Sequence, residues 1–133
     1  MPLPDIAERR IAGHKRVVEF AVESDESMAD AWQWWQYQTE KTRRSFEVLM
    51  KRLSNEGKIN NKEQFRLLDE PIWEFKRGGH RLLCYRDGVR WLLTNNLEKS
   101  GRKDISADIK TAIRIGERHL EWEASQKQRA LEN

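Results

Sequence analysis

The chain has 133 residues, enough for one domain with a single buried core. Charged residues make up 35% of it and the formal net charge is +3, so a small core carries a very polar surface and a polyanionic partner fits. The single cysteine, Cys84, excludes an intramolecular disulfide framework and a site of several thiolates. No run approaches the roughly 18 apolar residues of a membrane span, and the start, MPLPDIAERR, lacks the apolar core of a signal peptide. These features suit a cytoplasmic protein without membrane contact.

Residues 1–14 contain prolines and charges in no clear period, and a loose arm is expected there. Val17–Val22, rich in β-branched and aromatic residues, predicts a strand that the polar Glu23-Ser24-Asp25-Glu26 stops. Ser27, three residues before Asp30, is an acidic variant of the capping box, predicting a helix through Trp32-Gln33-Trp34-Trp35. Those three tryptophans cannot all face one way, since neighbours on a helix differ by about 100°; at least one is expected to be exposed or to meet a partner.

After a break near Thr39 the helical period is clean. Phe46, Leu49, Met50 and Leu53 fall at i, i+3, i+4 and i+7, and Gly57 stops the run. Residues 58–70 form a polar connection in which Phe65 and Leu67 alternate, leading towards a sheet, and Pro71 marks the beginning of a strand. From Ile72 onward, Gly78-Gly79 and Asp87-Gly88 separate three alternating runs, which predicts antiparallel strands over Ile72–Arg77, His80–Arg86 and Val89–Asn95. Asp104 then reads as a helix N-cap, followed by a stripe of Ile109, Ala112, Ile113, Gly116 and Leu120. Residues 124–133 are polar and expected to fray. The whole is a single domain, 1–133, of α+β class. Helices should pack on one face of the sheet and leave the other at least partly open.

Between Lys76 and Lys103 eight basic side chains stand against two acidic ones, a local +6; the rest of the chain therefore carries −3. Arg81, Arg90, Lys99, Arg102 and Lys103 are candidates to converge on phosphate at one end of the sheet. The competing reading is a solvated edge, where Lys and Arg discourage sheet-to-sheet pairing. His80, the one meander side chain that ordinarily titrates near neutrality, is a candidate acid or base, although it also closes a turn. Tyr85, four residues after Arg81, would share its sheet face, which makes it a candidate for binding or proton transfer, with simple packing as the alternative. Trp73 and Trp91 read as same-face packing, with stacking on a base as the alternative. No His-x-x-x-His or Cys/His spacing offers a metal site, and no cofactor motif is present.

The succession Ile72-Trp73-Glu74-Phe75-Lys76, His80-Arg81, Leu97-Glu98-Lys99 and the Ile109/Ala112 stripe resembles the RelE/ParE superfamily of bacterial toxins, in its HigB-like, phage-derived branch. The likeness runs from about Val17 to Leu120. It implies a RelE-like fold: an antiparallel or mixed sheet of four to five strands, two N-terminal helices and a C-terminal helix packed on it. It also implies a metal-independent endoribonuclease that cleaves mRNA, often on the ribosome, and is neutralised by a cognate antitoxin of helix-turn-helix type. Arg81 matches the arginine that such nucleases place on the scissile phosphate, Lys99 a basic residue of the loop after the last strand, and Lys76 a basic strand-end position. Arg90, Arg102 and Lys103 are the expected further RNA contacts. Glu74 stands where several RelE nucleases have lysine, Cys84 replaces an aromatic residue, and the tyrosine that some relatives carry near the final helix is missing. ParE-type relatives share the fold yet act on DNA gyrase, so the alternative is a toxin-fold binding protein without nuclease chemistry.

Overall fold

The computed structural model describes residues 2–98 and 104–132. In chain order the elements are α1 (Ile6–Arg9), β1 (Arg10–Ala12), β2 (Val17–Phe20), β3 (Val22–Ser24), β4 (Ser27–Met28), α2 (Asp30–Gln36), α3 (Glu40–Glu56), β5 (Phe65–Asp69), β6 (Ile72–Arg77), β7 (His80–Asp87), β8 (Arg90–Glu98) and α4 (Ser106–Glu132). The class is α+β, but the main sheet has six strands, in the order β1-β2-β8-β7-β6-β5, rather than four or five. All neighbours are antiparallel except β2 and β8, which run parallel with Val18 beside Trp91. No helix of the described residues is long and apolar enough to cross a membrane.

The glycine-bounded meander forms as its turns dictate: β6 pairs with β7 from Ile72↔Tyr85 to Arg77↔His80, and β7 pairs with β8 beyond it. Thr39 caps α3 by accepting from the Thr42 N–H at 3.1 Å. Gly57 ends it in the left-handed region at φ 85°, which costs glycine nothing. Phe46, Leu49, Met50 and Leu53 are all buried.

Three local expectations give way. Ser27 is no helix cap; it lies in a small β3–β4 hairpin, where its hydroxyl meets that of Ser24 at 2.8 Å, and Ala29 precedes α2 with no side-chain cap. Residues 6–12, expected to be irregular, make a helical turn and a strand, because Arg10–Ala12 pair with Val17–Glu19. The last helix continues to Glu132, its far half tied to the β3–β4 hairpin through Asp25, which accepts from Trp122, Gln126 and Arg129.

The sheet is covered on both faces, so the expected two layers become three. Alternation sends Phe75, Leu82, Cys84 and Trp91 to the face where α2 and α3 supply Trp35, Phe46, Leu49 and Met50. Ile72, Leu83 and Leu97 point the other way, onto Ala112 of α4, with Leu92 on Ile115. Trp73 and Trp91 meet edge to face at 5.3 Å, with Phe65 against both, in keeping with packing. Of the tryptophan trio, Trp35 is buried while Trp32 and Trp34 lie half-buried edge-on to Phe20 and Phe46.

Candidate nucleic-acid interface

Strand register assembles a cationic row at one end of the α4-side face. Lys76 pairs with Arg81 and Arg81 with Leu97, so these three line up across three strands, and the Lys76 N–H donates to the carbonyl of Gln64, in the turn before β5, at 2.8 Å. Paired residues on adjacent strands share a face at roughly 5 Å spacing. The next row holds Arg66, Glu74 and Leu83. Lys76 and Arg81 thus come together as the sequence suggests, on the rim of the face that α4 covers further in.

Glu74 is the residue that sequence reasoning missed as a site member. Its carboxylate is fully buried; Oε1 accepts from Arg66 Nε at 2.7 Å, and Arg81 Nη1 lies 4.0 Å from Oε2. That second distance is too long for a hydrogen bond, and among the described residues Oε2 has no hydrogen-bond partner. A carboxylate oxygen is an acceptor only, and an unfilled one in a buried site costs free energy until a donor reaches it. The signal was present in the spacing: Glu74 and Lys76 are two apart on one strand and therefore share a face. Arg66 was not legible, because residues 58–70 read as a polar connection rather than as a strand paired with β6.

His80 and Tyr85 do not join this site. His80 is the next residue along the strand from Arg81 and so points to the opposite face, where its ring lies 5.5 Å from Trp34. Tyr85 does share the Arg81 face, but four residues separate them, roughly 13 Å along a strand, and α4 covers it. The approach is so close that a Cβ on Gly116 would sit 2.3 Å from the Tyr85 ring. Burial, with Glu117 and Asp87 nearby, raises the Tyr85 pKa above its ordinary 10.0, which suits packing better than proton transfer at neutral pH. Cys84 is fully buried and its thiol is pushed well up by that burial, so it is inert. Lys99, Arg102 and Lys103 lie outside the described residues.

Arg90 is drawn into an ion network at the other end of β8. Its guanidinium meets Glu123 at 2.6 and 2.7 Å, Asp87 at 3.0 Å and Glu19 at 3.3 Å. Glu19, fully buried, also faces Arg10 at 3.1 Å and Arg9 at 3.8 Å. The hydrogen bonds that Arg90 donates to Glu123 raise its pKa further, so it is a fixed structural cation rather than an RNA contact. Glu19, His119 and Glu123 place ligand atoms within 4.8 Å of one another, a spacing a metal could use. The donor chemistry argues otherwise. His119 Nδ1 accepts the Val22 N–H at 2.9 Å, so Nε2 carries the ring proton and has no lone pair for a cation. Arginines already neutralise both carboxylates.

No family model matches the chain, and no curated protein matches it significantly.

Proposed function

We propose that this chain is an mRNA endonuclease of the RelE/ParE toxin type, HigB-like, held inactive by a cognate antitoxin. The observation that carries the reading is the pairing of Lys76 and Arg81 beside a buried carboxylate with one unfilled oxygen. Metal-free RNA cleavage needs an acceptor for the 2′-hydroxyl proton, cations for the charge that builds on phosphorus, and a proton for the departing 5′-oxygen. Glu74 Oε2 is buried in the free chain with Arg81 Nη1 4.0 Å away, so it takes the 2′-hydroxyl proton only once Arg81 has moved off it onto the phosphate. The 2′-oxygen attacks phosphorus, and the bond to the 5′-oxygen breaks. Arg81 binds the phosphorane oxygens, its planar fork suiting two of them at once. Lys76, an ammonium on the same row, protonates the leaving 5′-oxygen. The products are a 2′,3′-cyclic phosphate and a 5′-hydroxyl.

A second reading keeps the cationic row but not the chemistry: a toxin-fold protein that binds gyrase, nucleic acid or a partner. The withdrawal of His80 and Tyr85 from the site favours it, since an acid/base pair of the usual kind is then missing. Inducing the chain alone in bacteria separates the two. Growth arrest with new mRNA ends supports the nuclease; arrest with double-strand DNA breaks and intact RNA supports the gyrase reading. Intact RNA and DNA with normal growth would leave neither toxin activity standing.

A further inference from the structure

Beside the cationic row lies an open recess of about 430 Å³ whose two sides differ in charge. Lys76, Arg77 and Arg81 line one side; Asn61, Glu63 and Gln64 line the other. The second side belongs to a turn whose backbone is fixed. The Asn61 carbonyl accepts from the N–H groups of Gln64 and Phe65 at 3.0 and 3.1 Å, and its side-chain Oδ1 accepts from the Glu63 N–H at 2.9 Å. The Lys76 to Gln64 hydrogen bond ties that turn to β6. Glu63 is exposed and forms no ion pair among the described residues, although Lys76 and Arg81 share the recess with it; the Arg77 guanidinium is turned to α3, where its Nε donates to the Ser45 carbonyl at 3.0 Å.

We infer that this recess holds the nucleobase attached to the bound phosphate, and that Glu63 selects guanine. The inference rests on the phosphate-binding reading of Lys76 and Arg81 given above. Charge sets the orientation: the phosphate is drawn to the cations and repelled by Glu63, which leaves the base facing the Asn61–Gln64 turn. A carboxylate is an acceptor with two oxygens side by side. Guanine presents two adjacent donors, N1–H and the N2 amino group, to match it. Uracil offers a single N–H between two carbonyls, and adenine and cytosine set a ring-nitrogen lone pair beside their amino group, which repels a carboxylate. The amides of Asn61 and Gln64, able to donate and accept, suit the O6 end of the same edge. Unpaired bases read on their Watson–Crick edge are the usual targets of sequence-selective RNA binding.

The test is binding of the four nucleoside 3′-monophosphates to the full chain, followed by tryptophan fluorescence or calorimetry. Guanosine 3′-monophosphate should bind on the order of ten-fold tighter than the other three, the discrimination expected of one good bidentate base contact. Glu63→Gln should erase that ranking without lowering the melting temperature. Arg81→Ala and Arg81→Lys should weaken all four together and keep the ranking. Equal binding of the four nucleotides, or a guanine preference that survives Glu63→Gln, overturns the base assignment and leaves the phosphate site standing. Binding that ignores both Arg81 variants, or no binding of any nucleotide, overturns the phosphate site and the base assignment with it.

Discussion

Arg81 and Glu74 form a unit in which each residue changes what the other can do. Arg66 holds one carboxylate oxygen while the other is left for an incoming donor. Arg81→Ala should lower RNA cleavage about 10²–10³-fold, the usual cost of losing one preorganised charge-stabilising donor. Arg81→Lys should recover part of it, because the bidentate fork is lost while the charge remains. Full activity in a folded Arg81→Ala protein would contradict the assignment. Tyr85→Phe makes the opposite test. Its ring packs under Gly116, and its hydroxyl has no part in the proposed chemistry, so cleavage should be unchanged. A large loss of cleavage with an unchanged melt would return Tyr85 to the site. Gly116→Ala, by contrast, must push the Tyr85 ring aside and should cost about 1–3 kcal/mol of stability, as overpacking does.

Among the elements, α4 shows where sequence reading slips. The stripe predicted Ile109, Ala112, Ile113, Gly116 and Leu120 as the packed face, with Ile113 central. The buried set is Ala112, Ile115, Gly116 and His119, leaving Ile109, Ile113 and Leu120 half-buried on the flanks. A histidine in the fully buried position disguises the period, since its burial depends on Val22 offering an N–H from a segment 97 residues away. Ile115→Ala should therefore cost about 2–5 kcal/mol and Ile113→Ala clearly less; thermal melts of both variants check the order, and the reverse ranking would contradict this register. The same helix gives the fold a pH dependence. Burial lowers the His119 pKa from its ordinary 6.5, against the pull of Glu123 and Glu19. Glu123 is opposed by its own burial, yet its hydrogen bonds from Arg90 carry its pKa below the ordinary 4.5. In both cases the unfolded chain takes up a proton before the folded one does. Stability should therefore fall as pH drops below 6.5, and again below 4.5. A melting temperature that is flat or rises on acidification would show that neither group is coupled to folding. The helix α3 and the strands β6 and β7 were legible because their signals are local: a four-residue stripe stopped by Gly57, and glycine turns. The strand β1 was not, because Arg10-Ile11-Ala12 carry no period and owe their conformation to pairing with β2. Nor was the parallel contact of β2 with β8, which joins residues about seventy positions apart. That contact fixes Glu19 beside Arg90, and so removes Arg90 from the candidate site.

At the scale of the whole molecule, charge is unevenly shared: the window from Lys76 to Lys103 holds +6 and the rest −3. Arg90 and Arg86 belong to the far end of the meander, so the field relevant to phosphate comes from fewer groups than the count suggests. An antitoxin that blocks the site should carry acidic residues over the Lys76–Arg81 rim. Its association rate should then fall with salt and with Lys76→Glu, because steering by complementary charge acts chiefly on the rate of encounter. A rate indifferent to both would place the contact elsewhere. The proposed activity is RNA cleavage by the 2′-hydroxyl route at the Glu74–Arg81 end of the sheet. The most direct measurement adds the purified chain, and its Glu74→Gln variant, to ribosomes programmed with a defined mRNA and determines the chemistry of the new ends. Cuts that leave 2′,3′-cyclic phosphate and 5′-hydroxyl ends, lost with Glu74→Gln although that variant still folds, are the result predicted. Intact mRNA, 5′-phosphate ends, or undiminished cutting by folded Glu74→Gln would contradict it.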